Sequence, residues 1–300
     1  MKAFEKSSTQ SKIIYLFIFS LVGLFLAGSL VSLINGFCGD EWVMSAWGLR
    51  ISSFFQMVLM FFMPAITLIM WSNQQPQAFL KMNKINKGLL FPLYSFIILL
   101  VSMPFISLLA ELNQMLSLPE WMNGLEMWMQ ELEQSAEKTT ELLLSGESIV
   151  DYLSNLFFIA MVAAIAEEVF FRGVLQQLLI KLFKNEHVGV WLGAIIFSMM
   201  HLQFYGFLPR LILGALLGYL FLWTRNLWIP ILIHFLNNAL VVTFNFFLKD
   251  NSVYHTLENP TFTISFVLIG FASLLITIFL FWVLKIRLTK NKRRTFNTLN

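Results

Sequence analysis

Long apolar stretches separated by short polar ones run along almost the whole chain. A bilayer core about 30 Å thick needs about 20 apolar residues of helix, and eight stretches approach or exceed that length. They lie at Ile13–Ile34, Ile51–Trp71, Leu89–Ala110, Tyr152–Leu182, Val188–Phe204, Phe207–Trp223, Trp228–Leu248 and Phe262–Leu284. The pattern predicts an all-α fold, a polytopic bundle of about eight transmembrane helices.

Composition supports a membrane protein and excludes several other classes. Apolar residues make up 58% of the chain and charged residues 12%, against about 45–50% and about 25% in soluble domains. The net charge of +3 indicates no nucleic-acid partner, so the lipid bilayer is the predicted surrounding. The single cysteine, Cys38, excludes an internal disulfide and a cysteine-rich metal motif.

The first apolar stretch is too long for a cleaved signal peptide. Lys2, Lys6 and Lys12 precede it, as they would in the basic region of a leader. The stretch Ile13–Ile34 exceeds the 7–15 residues or so that are typical of such a leader, and no small-residue cleavage site closes it. We therefore interpret it as a retained anchor.

The distribution of basic residues predicts the orientation in the membrane. With eight spans, fifteen lysines and arginines fall on one side and four, Arg50, Lys138, Arg210 and Lys249, on the other. Cytoplasmic loops carry the excess of basic residues, so both termini are predicted to be cytoplasmic. The predicted location is a bacterial inner (cell) membrane.

The long polar segment Glu111–Asp151 carries seven further glutamates between its ends and one basic residue, Lys138. Apolar residues recur there at a helical spacing, at Trp121, Leu125, Trp128, Met129 and Leu132. We predict an acidic amphipathic helix on the outer face, the alternative being a solvated, partly ordered loop. The predicted organisation is a three-span region with this segment (1–150), a membrane-embedded core (151–250), and a last span with a basic tail (251–300).

Three charged residues lie inside the fourth predicted span, at Glu167, Glu168 and Arg172. Each would cost about 2.5–3.5 kcal/mol at a helix centre, so they should face the bundle interior. Glu168 and Arg172 are four residues apart and can pair, whereas Glu167 is turned about 100° away around the helix. The structural alternative is an ion pair that only locks two helices together.

The next predicted spans supply His201, His234 and Asn238. Phe197 lies one turn before His201, and His234 and Asn238 are four residues apart on one helix face. Asn237 points elsewhere, which favours a role in hydrogen bonding between helices. Counted at 1.5 Å per residue, these groups lie at depths that allow them to meet Glu167 in one cavity.

Such a constellation suits peptide hydrolysis by either of two mechanisms. A buried glutamate can serve as general base, while histidine and asparagine donate hydrogen bonds to the oxyanion. Alternatively, His201, His234 and Glu167 or Glu168 could bind a divalent metal such as zinc that activates the water. No HExxH, no GxSxG and no pair of intramembrane aspartates is present.

Three short motifs resemble those of the CPBP family of intramembrane proteases, which includes the type II CAAX prenyl endopeptidases and bacteriocin-processing and immunity relatives. The motifs are EEVFFR at Glu167–Arg172, FSMMH at Phe197–His201 and HFLNN at His234–Asn238, in order on successive predicted helices. Each alone is weakly specific, and the three together are fairly specific. The resemblance covers roughly Tyr152–Leu248.

This resemblance implies a role for each motif residue. Glu167 corresponds to the catalytic glutamate with His201 beside it, His234 and Asn238 correspond to the oxyanion contacts, and Glu168 and Arg172 correspond to the supporting pair. Members are commonly called metalloproteases, although a metal-free glutamate mechanism is also argued for the family. The expected function is endoproteolysis of a membrane-associated protein or peptide. The alternatives are a non-catalytic immunity or scaffold protein and an ion or proton transporter that uses Glu167 as a relay.

Overall fold

The computed structural model describes residues 7–83, 90–251 and 260–297, with side chains up to residue 288. The longer helices are α1 (Thr9–Cys38), α2 (Ala46–Trp71), α3 (Leu90–Gln114), α4 (Asn123–Leu144), α5 (Ile149–Phe183), α6 (Glu186–Met199), α7 (Phe207–Thr224), α8 (Trp228–Leu248) and α9 (Ile264–Asn297). Short helical turns lie at Asp40–Val43, Pro76–Phe79, Glu120–Met122 and Phe204–Gly206. No strand occurs in these ranges, so the predicted all-α helical bundle is confirmed.

Seven of these helices, all but α4 and α6, are long and apolar enough to cross a membrane. α6 has 14 residues, or about 21 Å at 1.5 Å per residue. The prediction of a fifth span reaching Phe204 is therefore wrong in its length. The helix ends early because Leu202 adopts a left-handed φ of 54° and the chain then turns through Phe204–Gly206.

Short turns join the helices around the centre of the bundle. Lys184 adopts a left-handed conformation that ends α5. The side chain of Asn185 then accepts hydrogen bonds from the backbone N–H groups of His187 and Val188, which satisfies two free donors at the start of α6. Arg225 ends α7 in the same left-handed way. These turns bring α5, α6, α7 and α8 together as antiparallel neighbours.

An aromatic core surrounds the middle of α5. The rings of Phe170 and Phe61 are 5.3 Å apart, and Phe17 of α1 contacts Phe170 at 6.1 Å. Phe171 lies 5.1 Å from Phe197 of α6, with the rings nearly perpendicular. Edge-to-face pairs of this kind stabilise a core beyond their buried area. α1 and α2 are thus packed directly against the helix that carries the intramembrane charges.

The acidic segment forms a helix, α4, as the spacing of its apolar residues predicts. α4 packs on the turn between α6 and α7: Tyr205 donates its backbone N–H to Glu133 Oε2 at 3.2 Å, and the rings of Trp128 and Phe204 are 5.6 Å apart. The turn itself is held by Asn113 of α3, which donates to the Phe204 carbonyl at 2.8 Å.

A buried anchor that the sequence pattern did not predict lies between α2 and α5. Arg50, counted above among the four basic residues on the less basic side of the membrane, is fully buried. Its Nε donates to Asn155 at 2.8 Å, its Nη1 donates to Asp151 at 2.9 Å, and its guanidinium lies over the Trp47 ring. Asn155 in turn donates to the carbonyl of Leu143. The anchor therefore ties α2, α4 and α5 together at one end of the bundle.

Several of the basic residues counted above lie outside the described residues or have side chains that the structure does not describe. Lys2, Lys6, Lys84, Lys87 and Arg293 are among the residues concerned, so the structure does not describe their side chains. The cytoplasmic position of both termini and the three-part domain division therefore stay predictions.

Candidate active site

Helix α5 is irregular where it carries its charges. Glu167 and Glu168 end a six-residue α-helical stretch, Ala163–Glu168, that lies between two π-helical stretches, Leu156–Val162 and Val169–Leu175. π-helical turns within α-helices are rare and occur frequently at functional sites. The irregularity therefore marks the same few residues as the charges do.

Arg172 is fully engaged by its neighbours. Its Nη1 donates to Glu168 Oε1 at 2.6 Å, the ion pair that the four-residue spacing predicts. Its Nη2 donates to the carbonyl of Gly214 on α7 at 3.0 Å, and its guanidinium lies 4.6 Å from the centre of the Phe197 ring. The cation thus has an anion, a carbonyl and an aromatic face, which is how a charge becomes tolerable inside a bilayer.

His234 contacts both carboxylates of the adjacent glutamates. Its Nδ1 lies 2.8 Å from Glu168 Oε1, and its Nε2 lies 3.8 Å from Glu167 Oε2. Because Glu168 Oε1 already accepts from Arg172, the hydrogen-bond network assigns the Nδ1 proton to His234. The second ring nitrogen then points towards Glu167 at a distance too long for a direct hydrogen bond.

Glu167 differs from Glu168 in its partners. Both are buried, with 5% and 0% of their surfaces exposed. Glu168 accepts hydrogen bonds from Arg172 and His234 through Oε1, and its Oε2 has no hydrogen-bond partner among the described residues. Glu167 Oε2 has no such partner either, and no arginine or lysine among them lies beside Glu167 as Arg172 lies beside Glu168. Two neighbouring carboxylates therefore occupy contrasting environments, which is the usual way a site divides its chemical roles.

His201 lies in the turn just after α6, one turn along from Phe197. Its Nδ1 is 2.8 Å from the Phe197 carbonyl, so Nδ1 carries a proton and Nε2 is left as the acceptor of a neutral ring. The Phe197 ring lies 4.9 Å from the His201 ring and 6.0 Å from the His234 ring. Phe197 therefore stands between the two histidines and beneath Arg172, a role that its spacing alone did not reveal.

Asn238 faces α5 from α8, on the same side as His234. Its Nδ2 donates to the Ile159 carbonyl at 3.4 Å, a long bond, and its Oδ1 accepts from Asn237 Nδ2 at 3.2 Å. The predicted interhelical role of Asn237 is not what the structure records, because its hydrogen bond goes to the adjacent side chain. Asn237 therefore orients the amide of Asn238, which the spacing on the helix did not suggest.

The donor set does not form a metal centre in this arrangement. No group of three histidine, cysteine, aspartate or glutamate side chains within the described ranges is placed to hold an ion. Glu168 is occupied by Arg172 and His234, and the Nδ1 atoms of His201 and His234 are occupied as well. No step of the chemistry below is therefore routed through a metal.

Comparison with known proteins finds similarity in the region that carries Glu167, His201 and His234. Residues 149–240 match the family model of the type II CAAX prenyl endopeptidase Rce1-like proteins. An uncharacterized protein of Bacillus subtilis, YpbD, is 32% identical over 91 residues, which is 29% of this chain and 43% of that protein. The membrane-embedded CAAX protease MroQ of Staphylococcus aureus is 27% identical over 118 residues, 37% of this chain and 46% of that protein. The chain thus spans less than half the length of these relatives, and no solved structure matches it.

Proposed function

We propose that this integral membrane protein is an intramembrane endopeptidase. The premise is that residues 149–240 match the type II CAAX prenyl endopeptidase Rce1-like family. It hydrolyses a peptide bond of a membrane-associated protein or peptide with a water activated by glutamate. The observation that carries the proposal is the contrast between Glu168, whose Oε1 accepts hydrogen bonds from Arg172 and His234, and Glu167, whose Oε2 lies 3.8 Å from His234 Nε2 and accepts no hydrogen bond from a described residue.

Glu167 is the general base in this scheme. Its carboxylate takes a proton from a water as the oxygen adds to the carbonyl carbon of the scissile bond. His201 can accept a hydrogen bond from the same water through Nε2, because its Nδ1 proton is held by the Phe197 carbonyl. The proton on Glu167 then passes to the leaving nitrogen as the C–N bond breaks, which leaves an amine, a carboxylic acid that keeps the second proton of the water, and the Glu167 carboxylate.

His234 and Asn238 stabilise the oxyanion of the tetrahedral intermediate. His234 donates through Nδ1 to Glu168, which directs its other ring nitrogen into the site. A ring that carries a proton on both nitrogens donates through Nε2 towards the oxyanion. The Nδ2 group of Asn238 supplies a second donor, since its present bond to Ile159 is long and weak.

A substrate-trapping comparison tests this function. Membranes containing the wild type, Glu167→Ala, or the control Glu141→Gln on exposed α4 are compared by quantitative mass spectrometry. We expect an uncut membrane-associated protein to accumulate with Glu167→Ala alone, and its fragments to appear with the other two. Identical patterns in all three membranes would contradict proteolysis and favour the non-catalytic immunity or scaffold alternative. Proton uptake by vesicles that depends on Glu167 would favour the transporter.

A further inference from the structure

A cavity lies away from the active site, where α1 begins and where α2 and α5 end. Its volume is about 220 Å³. The α5 residues that line it, Gln177, Leu178 and Lys181, are ten to fourteen residues beyond Glu167, or about 15–21 Å along the helix at 1.5 Å per residue. The cavity is therefore separate from the cluster around Glu167 and calls for its own explanation.

One side of the cavity is basic and polar. Lys12 of α1, Lys181 of α5, Ser72 and Gln74 line it, and no aspartate or glutamate does. Neither lysine forms an ion pair within the part of the chain that the structure describes, and the Ser72 hydroxyl and Gln74 amide make no side-chain hydrogen bond there. Two cations and two neutral donors converge without an anion, which makes the cavity complementary to a negatively charged group with several acceptor oxygens.

The opposite wall is apolar. Leu68 and Ile69 of α2 and Leu178 of α5 form it, and all three are buried. The cavity thus joins a charged rim to an apolar wall at the ends of α1, α2 and α5. All three helices are long enough to cross the membrane. Helix ends of this kind lie at the level of the lipid head groups, where lysines extend towards the interface.

We infer that this cavity binds the phosphate group of an anionic phospholipid, with Lys12 and Lys181 contacting the phosphate oxygens and the apolar wall contacting the glycerol end of an acyl chain. Basic pockets between transmembrane helices are known to accept such head groups. At about 30 Å³ per water, a volume of this size holds about seven waters. That suffices for a phosphate and its immediate substituents and leaves the acyl chains in the bilayer.

Native mass spectrometry of the full-length protein tests the inference. The protein is released from vesicles of phosphatidylcholine mixed with phosphatidylglycerol, and the retained phosphatidylglycerol is measured. The test variant is Lys12→Gln with Lys181→Gln; the control is Lys138→Gln with Lys249→Gln, which removes two lysines elsewhere. At about 1 kcal/mol per basic side chain near an anionic surface, the affinity of the test variant should fall about 30-fold while the control stays at the wild-type value.

Two further arms separate the possible outcomes. Lys12→Arg with Lys181→Arg should retain the lipid, which distinguishes loss of charge from misfolding. Inorganic phosphate added to lipid-stripped protein measures whether the free anion binds. Equal retention of phosphatidylglycerol by the wild type and the Lys12→Gln, Lys181→Gln variant would overturn the inference. Binding of inorganic phosphate without retention of phosphatidylglycerol would overturn the assignment to a lipid.

Discussion

The Nδ1 atom of His234 lies 2.8 Å from Oε1 of Glu168. This contact holds the imidazole from the side remote from Glu167, so that Nε2 is directed at Glu167 Oε2 across 3.8 Å. The orientation of the ring is thus determined by a glutamate that does not take part in proton transfer in the proposed scheme.

The role of His234 predicts how its variants behave. As a hydrogen-bond donor to the oxyanion, it should be partly replaceable by glutamine or asparagine. The cleavage rate should fall by a factor of about 10²–10³, and the remaining activity should still be measurable. The measurement is peptide cleavage by purified protein after exhaustive chelation, with bound metal determined by mass spectrometry. His187→Gln, at the start of α6, is the matched control. One zinc per chain that disappears with His201 or His234 would show the metal mechanism instead.

Arg172→Ala should destabilise the protein by about 3–5 kcal/mol, because the Glu168 carboxylate would be left buried without its cation. The measurement is the folded fraction in detergent, followed by the thermal midpoint. Glu168→Gln combined with Arg172→Gln removes both charges and should be less destabilising than Arg172→Ala alone. A normal folded yield of Arg172→Ala would show that the pair does not support the bundle.

Asn237 is predicted to act through Asn238. Loss of a hydrogen bond worth about 1 kcal/mol should lower kcat about fivefold in Asn237→Ala and leave KM unchanged. Asn237→Asp should be worse, because a carboxylate attracts the Nδ2 group of Asn238 and turns its amide away from the oxyanion. Steady-state kinetics on the two variants measure kcat and KM separately. Equal activities of Asn237→Asp and the wild type would assign Asn237 a packing role only.

The orientation of the chain depends on whether α6 crosses the membrane. Eight crossings place both termini on the cytoplasmic side, as the excess of basic residues there predicts, whereas seven place them on opposite sides. Phosphatase fusions at residue 300 and near Glu131 measure this directly. We expect activity only near Glu131, and an active fusion at residue 300 would reject the arrangement with eight crossings.

The lengths of the apolar stretches predicted much of the fold, but other parts of it could not be predicted from the sequence. Trp228–Leu248 has the bounds that hydropathy predicts, whereas α6 ends before Phe204 because a left-handed residue, not loss of apolar character, stops the helix. The pairing of Glu168 with Arg172 follows from a four-residue spacing. The burial of Arg50 does not follow from any local spacing, since its partners Asp151 and Asn155 are about a hundred residues away in the sequence.

The packing of Phe17 and Phe61 against Phe170 limits how freely the parts of this molecule can be exchanged. Phe170 lies in the segment that matches the family model, and its two partners lie outside that segment. A chimera that joins residues 149–240 to the first spans of a relative would meet mismatched surfaces next to Glu167. Such a chimera should insert in the membrane and fail in cleavage until the residues facing Phe170 are transferred with the segment. In this chain, the first spans and the matched segment therefore form one packing unit around Phe170.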